Sequence, residues 1–323
     1  MISRLKDSGL FTLVLVVLLA FAIRIPALWY LPSVGTISKP GILAPMVLGL
    51  NAWPVVSVLV SLLMVIAQAF LINEIARSHG LLKPVGYLPA YFFILLQSIY
   101  PENLLITEYH FGNFCVFIGL LCLLKLREGY STVLLFYSSM AFGISILIVP
   151  DHLMILLFVL ACVLVYKTIV IRDVLAIVFG LTLPYYVLRS LIFINGWDLT
   201  SMKNITTTPI NIEVFGSGVA GVFAGYSAFA FFLLLSLFGL IRQVGTYYKE
   251  NVEVRRSKLV VILFFVYSLL LMLLHWKELK SFHLLLAFPA AIFIASFFTG
   301  EKKLWWKELL NVCLLATLIY TLY

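Results

Sequence analysis

The stretch YPENLLITEYHFGN, residues 100–113, places Glu102, Glu108 and His110 in a segment free of Lys and Arg, between two long apolar runs. Carboxylate and imidazole groups that converge in a loop can bind a divalent cation, and a carboxylate there can act as a general base. A solvated turn between two helices carries the same residue types, so both readings stay open. A second pair, Asp151 and His152, follows Pro150 in a tight turn. Asp151 reads there as a helix N-cap. If the hairpin around it dips into the membrane, the pair faces a cavity beside Glu108. Arg189, in LPYYVLRSLIF, is a third candidate, because a guanidinium binds phosphate bidentately. Arg24, Lys277 and Lys280 also lie near helix ends, and for the two lysines snorkelling of a long side chain to the interface is the favoured reading.

Such groups stand out because the chain is 63% hydrophobic and 11% charged, with a mean hydropathy of +1.11. Soluble chains carry about 25% charged residues. The charges here fall in short clusters between continuous apolar runs long enough to cross a hydrocarbon layer of roughly 30 Å. The runs do not alternate, which argues against a transmembrane barrel. The composition predicts an all-α, polytopic membrane bundle of about eleven spans, at 10–30, 52–73, 85–100, 110–124, 132–149, 153–169, 174–194, 219–241, 259–276, 282–298 and 306–323. The pair 132–149 and 153–169, joined by Pro150-Asp151-His152, also reads as a hairpin that does not cross fully.

Charge sets the orientation. With the N-terminus inside, sixteen of the 22 Lys and Arg residues fall on the cytoplasmic side. The outer side then holds Arg24, Lys39, Arg189, Lys203, Lys277 and Lys280, and Tyr323 ends outside. The net charge of +8 is accounted for by this bias, and no nucleic-acid partner is expected. Two outer segments are long. Residues 31–54 carry four prolines and are mildly apolar, which predicts a segment lying along the interface. Residues 195–218 are polar and Thr-rich. The four cysteines (Cys115, Cys122, Cys162 and Cys313) lie in predicted spans and form no CxxC pair, so they read as small apolar residues. Phosphate-loop, HExxH and GxSxG motifs are absent, no GxGxxG follows a strand, and the five histidines fall in different loops.

Several stretches resemble GT-C-type glycosyltransferases. GYLPAYFFILLQSIYPENLLITEYHFGNFCVFIGLLCLLKLRE looks like their third and fourth spans, AFGISILIVPDHLMILLFVLACVLVYK like their short hairpin pair, and IRDVLAIVFGLTLPYYVL like the next span. FAIRIP, YPENL, LPYYVL, LAFPAAIFIASFF and EKKLWWKELLNVCLLATLIY also resemble an uncharacterised family of bacterial inner-membrane proteins of about 300 residues. Members of that family often carry an automatic carotene oxygenase label, although those oxygenases are soluble propellers with four iron-binding histidines.

The resemblance implies a single membrane domain over 1–323, with a GT-C-like module at 1–194, an extracytoplasmic loop at 195–218 and four C-terminal spans at 219–323. It implies sugar transfer from a polyprenyl-phosphate lipid at the outer face of the bacterial inner membrane, with a periplasmic C-terminus. Glu108 and Asp151 would be catalytic, and Glu102, His110, His152 and Arg189 would bind substrate; a divalent cation is the cofactor such enzymes use. Family members also carry an acidic residue in the first outer loop. This sequence departs there, since residues 31–51 contain no Asp or Glu. That departure favours the other reading, a non-catalytic subunit or scaffold that works with other inner-membrane envelope proteins.

Overall fold

A chain this apolar must satisfy its backbone groups within each segment, and helices do so. The computed structural model describes residues 5, 9–29, 42–83, 86–127, 129–168, 170–195, 219–276, 279–299 and 304–322, and no strand occurs among them. The expectations for 31–41 and 196–218 fall outside these residues. Twelve α-helices run in order through the described residues: α1 (Leu10–Trp29), α2 (Ala44–Asn51), α3 (Pro54–Ser78), α4 (Leu88–Gln97), α5 (Glu108–Leu124), α6 (Thr132–Ile148), α7 (Ile155–Tyr166), α8 (Ile171–Ile194), α9 (Val219–Thr246), α10 (Val252–Leu274), α11 (Leu279–Thr299) and α12 (Leu304–Leu322).

Each predicted span falls on one of these helices, and α2 is the additional element. Seven of them (α1, α3, α5, α8, α9, α10 and α11) contain stretches long and apolar enough to cross a membrane. The protein is therefore a helical membrane protein. The run predicted as a span at 85–100 forms only the 10-residue α4. At 1.5 Å per residue it rises about 15 Å, half the thickness of the hydrocarbon layer. All ten of its residues are buried, so α4 is sheathed in protein rather than lipid.

At the centre lies α11, of which 94% of the most apolar stretch is buried; the corresponding share for α8 is 17%. Around α11 pack α4, α5, α9 and α10; α3 covers α4, α7 leans on α10, and α6 joins α5 to the peripheral α8. Small residues let backbones approach closely where apolar surroundings give helices little hydrophobic reason to associate. Gly239 on α9 sits against the Phe293 carbonyl of α11, and Gly143 on α6 against the Leu181 backbone of α8, with no room for a Cβ at either place.

One end of the bundle gathers basic residues that close helix C-termini. Gly80, at φ 62°, takes the left-handed conformation that ends α3. Its N–H donates to the Arg77 carbonyl at 3.2 Å, and Leu81 N–H donates to the Ala76 carbonyl at 3.0 Å. Arg127 completes the cap, donating to the Ser78 carbonyl at 2.7 Å and the His79 carbonyl at 3.1 Å. At the end of α11, Arg242 donates to the carbonyls of Ser296 (2.5 Å) and Phe297 (3.1 Å), and Lys307 to that of Phe298 (3.2 Å). Three of the four carbonyls that a helix leaves open at its C-terminus are thereby satisfied.

Candidate functional site

The other end of the bundle holds the residues singled out from the sequence. Between α4 and α5 the chain leaves the α-helix, yet residues 103–106 are buried. Irregular backbone at such a place needs side-chain partners. Ile106 finds them: its N–H donates to Ser57 Oγ at 3.0 Å, and its carbonyl accepts from Asn51 Nδ2 at 3.3 Å. Pro101–Leu104 form a short 3-10 turn, with proline at its first position where a missing N–H costs nothing.

α5 starts from Thr107. Thr107 N–H donates to His110 Nδ1 at 3.2 Å, and Thr107 Oγ1 lies 2.8 Å from the same nitrogen. A backbone N–H can only donate, so Nδ1 is an acceptor and the neutral ring carries its proton on Nε2. The His110 carbonyl accepts from Gln68 Nε2 of α3 at 2.7 Å. Glu108 is buried in the first turn of α5.

His275 and the start of α11 (279–283) connect this loop to the second turn. Lys280 Nζ pairs with Glu102 at 2.5 Å, and Asn103 Nδ2 donates to the Lys280 carbonyl at 3.0 Å. His283 is buried beside Asn103, with the Tyr100 ring edge-on at 5.2 Å. Five residues before Lys280, His275 Nε2 lies 3.5 Å from Asp151, and its Nδ1 faces the Leu271 carbonyl at 3.2 Å. The His275 ring stacks on Phe282 at 4.7 Å, and Phe282 meets Tyr109 of α5 edge-on at 5.5 Å. In the same turn, buried His152 bonds through Nδ1 to Ser145 Oγ at 2.6 Å. Its ring leans towards Gly112, where a Cβ would also press on Val149. Glu102, Glu108, His110, Asp151 and His152 thus lie at one end, linked by α11 and the segment leading into it.

Residues 41–323, most of the chain, match a family of unknown function, DUF6427. The chain belongs to that family. The match begins after α1 and takes in α2 to α12. No curated protein and no solved structure matches the chain.

Arg189 stands apart in this DUF6427 chain. It is exposed on α8, whose main packing partner is α6, and it bonds to none of the groups above among the described residues. Nor do the described residues contain a group of three or more His, Cys, Asp or Glu side chains arranged to hold a metal ion.

Other residues enter that the sequence did not single out as a group. Gln68, Asn103, Asn113 and His283 are buried at this end, and Arg24 on α1 is wholly buried. Lys280 reaches Glu102 instead of snorkelling. The signal available in advance was polarity inside apolar runs: Gln68 and Asn113 interrupt spans where a polar side chain is costly.

Proposed function

We propose that this DUF6427 protein is a multi-pass inner-membrane protein of the bacterial cell envelope that works at its turn end, the end carrying residues 102–110 and 151–152, on a polyprenyl-phosphate sugar donor. In this reading the chain has GT-C-like architecture, eleven helical segments that enter the membrane and a cytoplasmic N-terminus. Glu108 and Asp151 supply acid–base chemistry, and His110, His152 and Glu102 line the substrate. The observation that carries it is the meeting of both turns on one segment, through Glu102–Lys280 and Asp151–His275. The positive bias of the opposite end agrees with that end being cytoplasmic. The test is sugar transfer from a polyprenyl-phosphate donor by purified protein. Glu108→Gln and Asp151→Asn should each lower the rate by roughly 10² or more, at unchanged protein level. Wild-type rates in both variants reject the enzyme reading.

A second reading, a non-catalytic subunit of an envelope secretion or assembly complex, also has a specific observation in its favour. Glu102, Asp151 and His152 are already engaged by Lys280, His275 and Ser145, as in a fold that keeps its polar end for structure. It predicts that a pull-down in mild detergent recovers partner proteins in fixed stoichiometry.

A further inference from the structure

We propose that Arg24, with His110, forms a seat for a phosphate-type oxyanion inside the bundle. This goes beyond the transfer reading, because the seat stands whether or not a sugar is moved.

Arg24 lies on α1 in line with Val16, Ala20, Ile23 and Ala27, all of them buried, while Phe21 and Ile25 on the opposite side are exposed. The guanidinium therefore points into the protein and cannot snorkel along lipid. Its Nη1 makes one long bond, 3.5 Å, to the Ala20 carbonyl of its own helix. Nε and Nη2 are buried and meet no acceptor among the described residues, and no carboxylate among them pairs with Arg24. An arginine keeps its charge at neutral pH, and a buried charge without a counter-charge is strongly unfavourable. A fully enclosed guanidinium with two free donors calls for an anion.

The surroundings supply further donors. His110 lies within electrostatic reach of Arg24. Its Nε2, which carries the ring proton as argued above, is buried and makes no hydrogen bond of ordinary geometry, although the Asn103 backbone lies close to the ring. Asn113, one turn further along the same face of α5, is buried with both amide atoms unpartnered. His110 also sits in the first turn of α5, where the helix dipole favours negative charge. A guanidinium fork and an imidazole N–H suit a tetrahedral oxyanion, which offers acceptors in several directions. Arg24 lies five residues before the end of α1, about 8 Å along its axis. The shared chemistry is a phosphoryl group, either borne by a lipid or free.

The experiment uses purified full-length protein in a phosphate-free maltoside detergent and reads thermal unfolding and binding. Polyprenyl phosphate, uncharged polyprenol and inorganic phosphate are added separately. Polyprenyl phosphate should raise Tm and polyprenol should not. A rise with inorganic phosphate alone supports the seat and assigns it to the free ion. Arg24→Gln should weaken binding roughly tenfold or more, the effect of losing a charged hydrogen-bonding partner. Without ligand, this variant should melt no lower than wild type, since it removes an uncompensated charge. Arg24→Lys keeps the charge but loses the fork, and should fold normally and bind more weakly.

The proposal is overturned if neither phosphate compound shifts Tm, or if Arg24→Gln retains the full shift. A shift lost in Arg189→Gln and kept in Arg24→Gln also overturns it. Glu108→Gln separates the two hypotheses: failure of the transfer reading shows in turnover, whereas failure of the seat shows in binding to protein that needs no turnover.

Discussion

The two ends of the bundle differ in what their buried and capping cations face. At the basic end Arg77, Lys167 and Lys258 pair with Glu74, Asp173 and Glu250, while three cations meet helix carbonyls, Arg127 at α3 and Arg242 and Lys307 at α11. These are helix C-termini, where the dipole and the open carbonyls both favour a positive group. At the turn end the ionisable groups pair with one another, as in Glu102–Lys280 and Asp151–His275, or, like Arg24, face no counter-charge among the described residues. Cations that satisfy carbonyls are explained by the fold. A buried cation with one long carbonyl bond and no counter-charge among the described residues is not, and it directs attention to the turn end for function.

The largest effect that would sharpen this contrast is expected at the basic end. Arg242→Ala leaves the Ser296 and Phe297 carbonyls without their charged donor and should lower unfolding stability by roughly 2–3 kcal/mol, measured by denaturation in detergent. A neutral result would show that the cap is dispensable and would break the comparison.

Acid should act on the same end. His79 is buried at the end of α3, where desolvation first, and then the Arg127 and Lys125 charges, push its imidazole down from 6.5 to about 4. The fold therefore favours the neutral ring. Stability is intact above 6.5 and falls as pH drops from 6.5 towards about 4, where the unfolded chain takes up a proton that the folded chain resists. His79→Gln should flatten melting temperature against pH in that window.

Smaller effects belong to the turn end. Glu102→Gln should cost less than about 1 kcal/mol, because its pair with Lys280 is part-exposed. Arg24→Gln should cost nothing without ligand. If Arg24→Gln proves as damaging as Arg242→Ala, the two ends do not differ in the way described.

The helices were legible from the apolar runs, and several boundaries agree closely: 10–30 against Leu10–Trp29, and 174–194 against Ile171–Ile194. What surrounds each helix was not legible. Hydropathy measures the avoidance of water, and lipid tails and protein interiors both provide that. The run at 85–100 therefore read as a span, while the folded chain holds the short, enclosed α4. Arg24 read as a helix-end cation for the same reason. The small residues Ala20 and Ala27 on its side of α1 were the available hint that this side meets protein. The loop residues Glu102, Glu108 and His110 are conspicuous in the sequence, but their link to Asp151 runs through His275 and Lys280, which are remote in sequence, and Lys280 reads there as a helix-end cation.

The enclosure of α11 bears on how the protein is made. This helix is built late in the chain, yet it packs directly on α4, which is translated nearly 190 residues earlier. During synthesis the N-terminal half must wait in the bilayer with a slot open between α4, α5 and the later helices. Polypeptides released before residue 299 should linger in that unclosed form and be the ones that membrane quality-control proteases remove first.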